Sequence, residues 1–145
     1  MRNKMALLDL KTVRQAYEQN EYQATGALKK LYNKGVTVIL LSPSRRSKRV
    51  EAWLKEKKLD QYNPVFPEDT IKYKFFAPLL RLIPVSWKQF FVRSLIDSMN
   101  AGEAPDADRV FFADTNPKSR KAVGKLKDKR LIVCDSLAAT ANKVF

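Results

Sequence analysis

Arg109-Val110-Phe111-Phe112-Ala113-Asp114-Thr115-Asn116-Pro117 is a short apolar run, rich in aromatic and β-branched side chains, that ends in an acid. The run predicts a buried strand, and Asn116 followed by Pro117 predicts a helix start, with an N-cap residue and proline at the first helical position. A strand therefore delivers a carboxylate to its carboxyl end immediately before a helix begins. Residues 5–10 (Met-Ala-Leu-Leu-Asp-Leu) follow the same plan and place Asp9 at a second strand end. The strongest strand signal is 36–41 (Val-Thr-Val-Ile-Leu-Leu), apolar on both faces apart from Thr37, as expected of a central parallel strand covered on each side. It ends at Ser42-Pro43, and a last strand over 131–134 ends at Asp135.

Helical spacing fills the intervals. Ala24, Ala27, Leu28, Leu31 and Tyr32 recur at helical period and Gly35 stands where a C-terminal cap belongs, which predicts a helix over 21–33. Ser44 or Ser47 caps a helix carrying Val50, Trp53 and Leu54 on one face. Residues 57–70 read as loop with a short strand at 64–66, and Ser86 caps a helix through residue 100 with Trp87, Phe90, Phe91, Leu95 and Met99 apolar. A loop over 101–108 precedes the opening strand, and a helix over 117–126 follows it.

Strands alternating with helices predict one α/β domain over 1–145, a mostly parallel three-layer sheet with helices on both faces. Parallel strands end at one edge, so Asp9, Ser42, Asp114 and Asp135 converge where open α/β sheets bind ligands. The stretch 75–91, with aromatics and leucines around Arg81 and Lys88, reads as core packing, a cap over the site, a partner surface or an interfacial membrane patch, and 75–100 as a whole as a helical cap or interaction insert.

Composition removes several chemistries. The chain has no histidine, which excludes a Ser/His/Asp triad, a Cys/His pair and a histidine-ligated zinc site. Its single cysteine, Cys134, excludes an internal disulfide and reads as an intracellular, cytoplasmic protein. Residues 5–10 are too short for a signal segment, and 75–85 is interrupted by Pro78, Arg81 and Pro84, so no transmembrane span is expected. The net charge of +13 is concentrated in 44–49, 55–58 and 118–130, which predicts a polyanionic partner: nucleic acid, a nucleotide or an acidic protein.

Two acids and a hydroxyl at one edge, with lysines near, suit a hard cation such as Mg²⁺ and a phosphoryl group. Asp9 is then a candidate carboxylate nucleophile, and Asp9 and Asp114 are candidate metal ligands. Acids after strands also serve as turn formers and helix caps, which is the purely structural alternative.

The order of these pieces resembles the haloacid dehalogenase-like hydrolase superfamily. The family's first motif, a strand ending DxDx(T/V), is similar to Leu8-Asp9-Leu10-Lys11-Thr12-Val13, and its second, a strand ending in Ser or Thr, to Ile39-Leu40-Leu41-Ser42. The resemblance implies a Mg²⁺-dependent phosphatase with an aspartyl-phosphate intermediate. Asp9 would be the nucleophile, Ser42 and a third-motif lysine at Lys72 or Lys74 would hold phosphoryl oxygens, and Asp114 would be the fourth-motif acid. Ser42-Pro43-Ser44-Arg45-Arg46 is also similar to the turn of the phage-type polynucleotide 3′-phosphatase branch, with Pro43 in place of glycine.

Lys11 departs from the pattern. It occupies the position of the family's second aspartate, which gives and takes a proton, and a lysine, cationic at neutral pH, pairs with Asp9 or a phosphate or requires a desolvated site to act as a base. Ala113 is a second departure, leaving metal coordination to Asp9, Asp114 and water. Arg45, Arg46, Lys48 and Arg49 begin one helix and Lys118, Arg120 and Lys121 another, both beside the same edge, where they favour phosphate or nucleic acid. Two classes of function follow: a phosphate-binding domain with weakened or lost catalysis, and an active Mg²⁺-dependent phosphatase acting on nucleotide or nucleic-acid phosphomonoesters.

Overall fold

The structure, a computed structural model, describes residues 3–69, 84–104 and 106–144. Five strands, β1 (Lys4–Asp9), β2 (Thr37–Leu41), β3 (Pro64–Val65), β4 (Arg109–Ala113) and β5 (Leu131–Cys134), form one sheet in the order β3-β2-β1-β4-β5. Every pairing is parallel, as the alternation of strand and helix signals leads one to expect. The chain lays β2 and β3 on one side of β1 and then returns to place β4 and β5 on the other. The crevice between β1 and β4 is therefore the topological switch point, where ligands of open parallel sheets are bound.

Among the described residues five α-helices, α1 (Leu10–Asn33), α2 (Lys48–Glu56), α3 (Pro84–Asn100), α4 (Pro117–Gly124) and α5 (Leu137–Lys143), cover both faces. Strand alternation sorts the core. Ala6 and Leu8 of β1, with Val38, Leu40, Phe111, Ala113 and Cys134, face α1, α2 and α5. Met5 and Leu7, with Val110 and Phe112, face α3 and α4 through Trp87, Val92, Ile96, Met99 and Val123. Leu7, Leu8 and Phe112 are wholly buried, and burial of side chains of this size stabilises the fold by about 1.5–3 kcal/mol each.

Several boundaries differ from the sequence reading, each for a local reason. Helix α1 begins at Leu10 rather than at residue 21, because Asp9 caps it; the boundary read at residue 21 is a break at Asn20 (φ −160°, ψ 94°). The Asn20 side chain accepts a hydrogen bond from Gln23 N at 3.1 Å and so restarts the helix. Leu10, Val13 and Tyr17 form the buried stripe of the first half, hidden in the sequence among Lys11, Arg14 and Gln15. Gly35, at φ +76°, ends α1 as expected. Of the two candidate serines, Ser47 caps α2 by accepting from Val50 N at 3.2 Å. Helix α3 begins at Pro84, two residues before Ser86, and α4 stops at Gly124 rather than 126. Helix α5 carries only Leu137, Thr140 and Ala141 inward, too weak an apolar face to be read from spacing.

The stretch 75–100 divides. Residues 84–100 lie on the sheet as α3, while 75–83, together with Lys72 and Lys74, lie outside the described residues. No helix among the described residues is long and apolar enough to cross a membrane.

Candidate functional site

Period-two alternation decides the site. On β1, Met5, Leu7 and Asp9 share a face; on β4, Val110, Phe112 and Asp114 share the same one. Leu7 pairs with Phe112 and Leu8 with Ala113, so Asp9 and Asp114 stand next along, side by side on the α3 face, on chains about 4.8 Å apart. Both are 1% exposed. Two neighbouring buried carboxylates repel each other unless a cation intervenes.

Lys88, on α3, supplies that cation. Its Nζ lies 2.7 Å from Asp9 Oδ1 and 2.7 Å from Asp114 Oδ2, and the residue is 4% exposed. Each carboxylate turns its other oxygen to backbone N–H groups. Asp9 Oδ2 accepts from Thr12 N at 2.9 Å and Thr12 Oγ1 at 2.8 Å, and Asp114 Oδ1 accepts from Asn116 N at 2.8 Å. The result is a buried ion triad, net negative, whose members begin or position three elements: the first turn of α1, the β4–α4 turn and α3.

Thr12 ties the two turns together. Its hydroxyl donates to Asp9 and accepts from Thr115 N at 3.0 Å. Thr12→Val keeps the shape but strands the Thr115 amide and removes one donor from Asp9, which is expected to destabilise the protein by about 1–3 kcal/mol. Urea unfolding measures this, and a loss well under 0.5 kcal/mol would show that the hydroxyl couples nothing.

Ser42, 1% exposed, closes its own turn: Oγ donates to Ser44 O at 2.7 Å and accepts from Ser44 N at 3.3 Å. Lys11 is exposed in the first turn of α1 and faces a cleft between α1 and α2 rather than the triad. Arg45, Lys48 and Arg49 are exposed at the start of α2. Arg46 is tethered, its N donating to Glu68 Oε1 at 2.6 Å, its Nη1 3.0 Å from Glu51 Oε1 and its Cζ 4.6 Å from the centre of the Phe66 ring. Lys118 is exposed in the first turn of α4 and Arg120 half-buried, while Lys121, expected at the helix start, is exposed in the last turn of this eight-residue helix; Asp135 is exposed beyond β5. Burial pushes the Cys134 thiol up from its ordinary value, against a hydrogen bond with Thr140 that lowers it, so Cys134 offers no thiolate.

Asp9 and Asp114 are hard oxygen donors, but they do not by themselves fit a magnesium centre. An ammonium already bridges them, and among the described residues no group of three acidic, cysteine or histidine side chains gathers around a common point. Mg²⁺ demands near-octahedral oxygen coordination. The arrangement as it stands is that of a structural triad.

The sequence reading assigned Lys88 only to an aromatic-rich stretch. The signal for its role was its position, four residues before Val92, eight before Ile96 and eleven before Met99, which puts a charge on the buried face of its helix. Comparison with family models, characterised proteins and solved structures finds no match for this chain.

Proposed function

We propose that this chain is a haloacid dehalogenase-like domain that binds nucleic acid or a nucleotide at its basic edge without hydrolysing a phosphate ester. The order of the motifs and the parallel sheet in the order β3-β2-β1-β4-β5 support the family reading. One observation carries the loss of catalysis: the Asp9 carboxylate is 1% exposed with both oxygens engaged, one by Lys88 and the other by Thr12. A nucleophile needs an oxygen free to approach phosphorus to about 3–3.5 Å, whereas Asp9 is committed to capping α1 and balancing Lys88.

Lys11 points the same way. Phosphate-ester hydrolysis through an aspartyl intermediate needs a group that protonates the leaving oxygen and then activates water, which a carboxyl group does by cycling one proton. An exposed ammonium in the first turn of a helix attracts phosphate but performs neither step. What remains of such a site is recognition: cations and helix N-termini at the edge hold a phosphate in place.

A phosphomonoester assay in the presence of Mg²⁺ tests this with the wild type, Asp9→Asn and Lys11→Asp. The wild type is expected to turn over no faster than Asp9→Asn. Metal-dependent turnover by the wild type that Asp9→Asn abolishes would overturn the reading in favour of the phosphatase.

A further inference from the structure

The cleft that Lys11 faces lies between α1 and α2, beside the ends of β1 and β2, and has a volume of about 680 Å³. That is within the size range of small-ligand sites. Both helices start at the sheet edge and each lines the cleft over about two turns, so the lining residues are ordered along each helix away from that edge. Lys11 and Arg49 line the end near the sheet edge, and Glu18 and Glu56 line the end about 10 Å further along, seven residues on from Lys11 and from Arg49 at 1.5 Å per residue, while Arg14 stands midway with its Nε 3.4 Å from Glu18 Oε1. Between them stand Val50 and Trp53. Trp53 is half-buried, set edge-on against Tyr17 with ring centres 5.9 Å apart, and Arg14 Cζ lies 5.9 Å from the centre of its ring.

This polarity selects a ligand. The cationic end takes a phosphate, the indole offers an apolar aromatic surface, and the two carboxylates accept hydrogen bonds from hydroxyl or amino groups while repelling a second phosphate. A lone anion would leave the aromatic wall uncovered. A continuous duplex would set a phosphate against the acids and has no unpaired base to give the indole. We propose that the cleft binds one nucleoside monophosphate unit, with its phosphate at Lys11 and Arg49, its base against Trp53 and its polar edge or ribose hydroxyls at Glu18 and Glu56. The inference rests on the nucleic-acid or nucleotide reading above and narrows it to a single unpaired nucleotide, either free or at the end of a strand.

The test is a fluorescence titration of the full chain with adenosine monophosphate, adenosine, inorganic phosphate, a short single-stranded oligonucleotide and a blunt duplex. Trp87 is buried, so a change in tryptophan emission on binding reports Trp53, and Trp53→Phe should abolish that change. Isothermal titration calorimetry, which does not depend on the indole, reads the affinity of the variants, and Trp53→Leu is expected to weaken binding about 5- to 100-fold, the usual effect of removing one stacking partner. Lys11→Glu combined with Arg49→Glu changes only exposed side chains and should weaken the phosphorylated ligands without strengthening adenosine. Binding of adenosine monophosphate identifies a free nucleotide as the ligand, and binding of the single strand alone identifies a strand end; either supports the cleft. Inorganic phosphate or the duplex binding as tightly as the nucleotide would overturn it. So would salt-sensitive nucleic-acid binding indifferent to both Trp53→Leu and the double charge reversal, which would leave the broader reading standing. Binding of none of the five probes would sink both.

Discussion

Replacing Lys88 by methionine is expected to cost the fold about 3–5 kcal/mol, the usual penalty for removing one partner from a buried ion pair. Methionine fills most of the space of the lysine stem, so packing against the α3 face of the sheet is kept. What is lost is the ammonium that lies 2.7 Å from an oxygen of each aspartate. Asp9 and Asp114 are then buried side by side with only hydroxyl and amide donors to oppose their repulsion. For a chain of this length the melting temperature should fall by on the order of 10 °C. The reciprocal variant is informative: Asp9→Asn and Asp114→Asn added to Lys88→Met remove every charge together and should restore much of the loss, since replacing a whole buried ionic group is far less costly than breaking it. Thermal and urea unfolding of the three proteins decide the matter. A Lys88→Met protein within about 1 kcal/mol of the wild type would show that the triad does not hold the edge together.

The second large effect concerns binding. Arg45, Lys48 and Arg49 around the start of α2 and Lys118 and Lys121 on α4 are exposed, on helices that begin at the same edge of the sheet but cover opposite faces of it. If all five meet phosphates of a single strand, log K should fall with log salt at a slope of about −3.5, so that affinity drops roughly a hundredfold between 50 and 200 mM. Changing Lys118 and Lys121 to glutamine should make the slope shallower by about 1.4. Filter binding or fluorescence anisotropy across that salt range measures both. A slope near zero, or no binding at low salt, would remove nucleic acid from consideration.

Much of this architecture was legible in the chain, for physical reasons that differ by element. The strands β2, β4 and β5 announce themselves because a parallel strand covered on both faces is a nearly continuous apolar run. Asp9, Ser42 and Asp114 could be brought to one edge from sequence because parallel strands share an end. Lys88 was harder to read as their partner: its spacing from Val92, Ile96 and Met99 puts it on an apolar face, but the prominent aromatics Phe90 and Phe91 draw attention to a face only half-buried in the structure. The first half of α1 was hidden for a related reason. Its buried side chains are few, and the residue that starts it, Asp9, reads equally well as the acid of a catalytic motif. Capping and catalysis ask for the same side chain at the same strand end, and the difference lies in what meets its oxygens.

The alternation that sets Asp9 and Asp114 under α3 also makes the edge a matter of parity. A deletion or insertion of one residue within β1 would turn the Asp9 carboxylate to the face covered by α1, α2 and α5, out of reach of Lys88, whereas a change of two would return it. The triad thus constrains strand length by odd and even as well as by residue identity. Descendants of this chain that lengthen β1 or β4 by single residues must give up the lysine and its two acids together, or keep none of them charged.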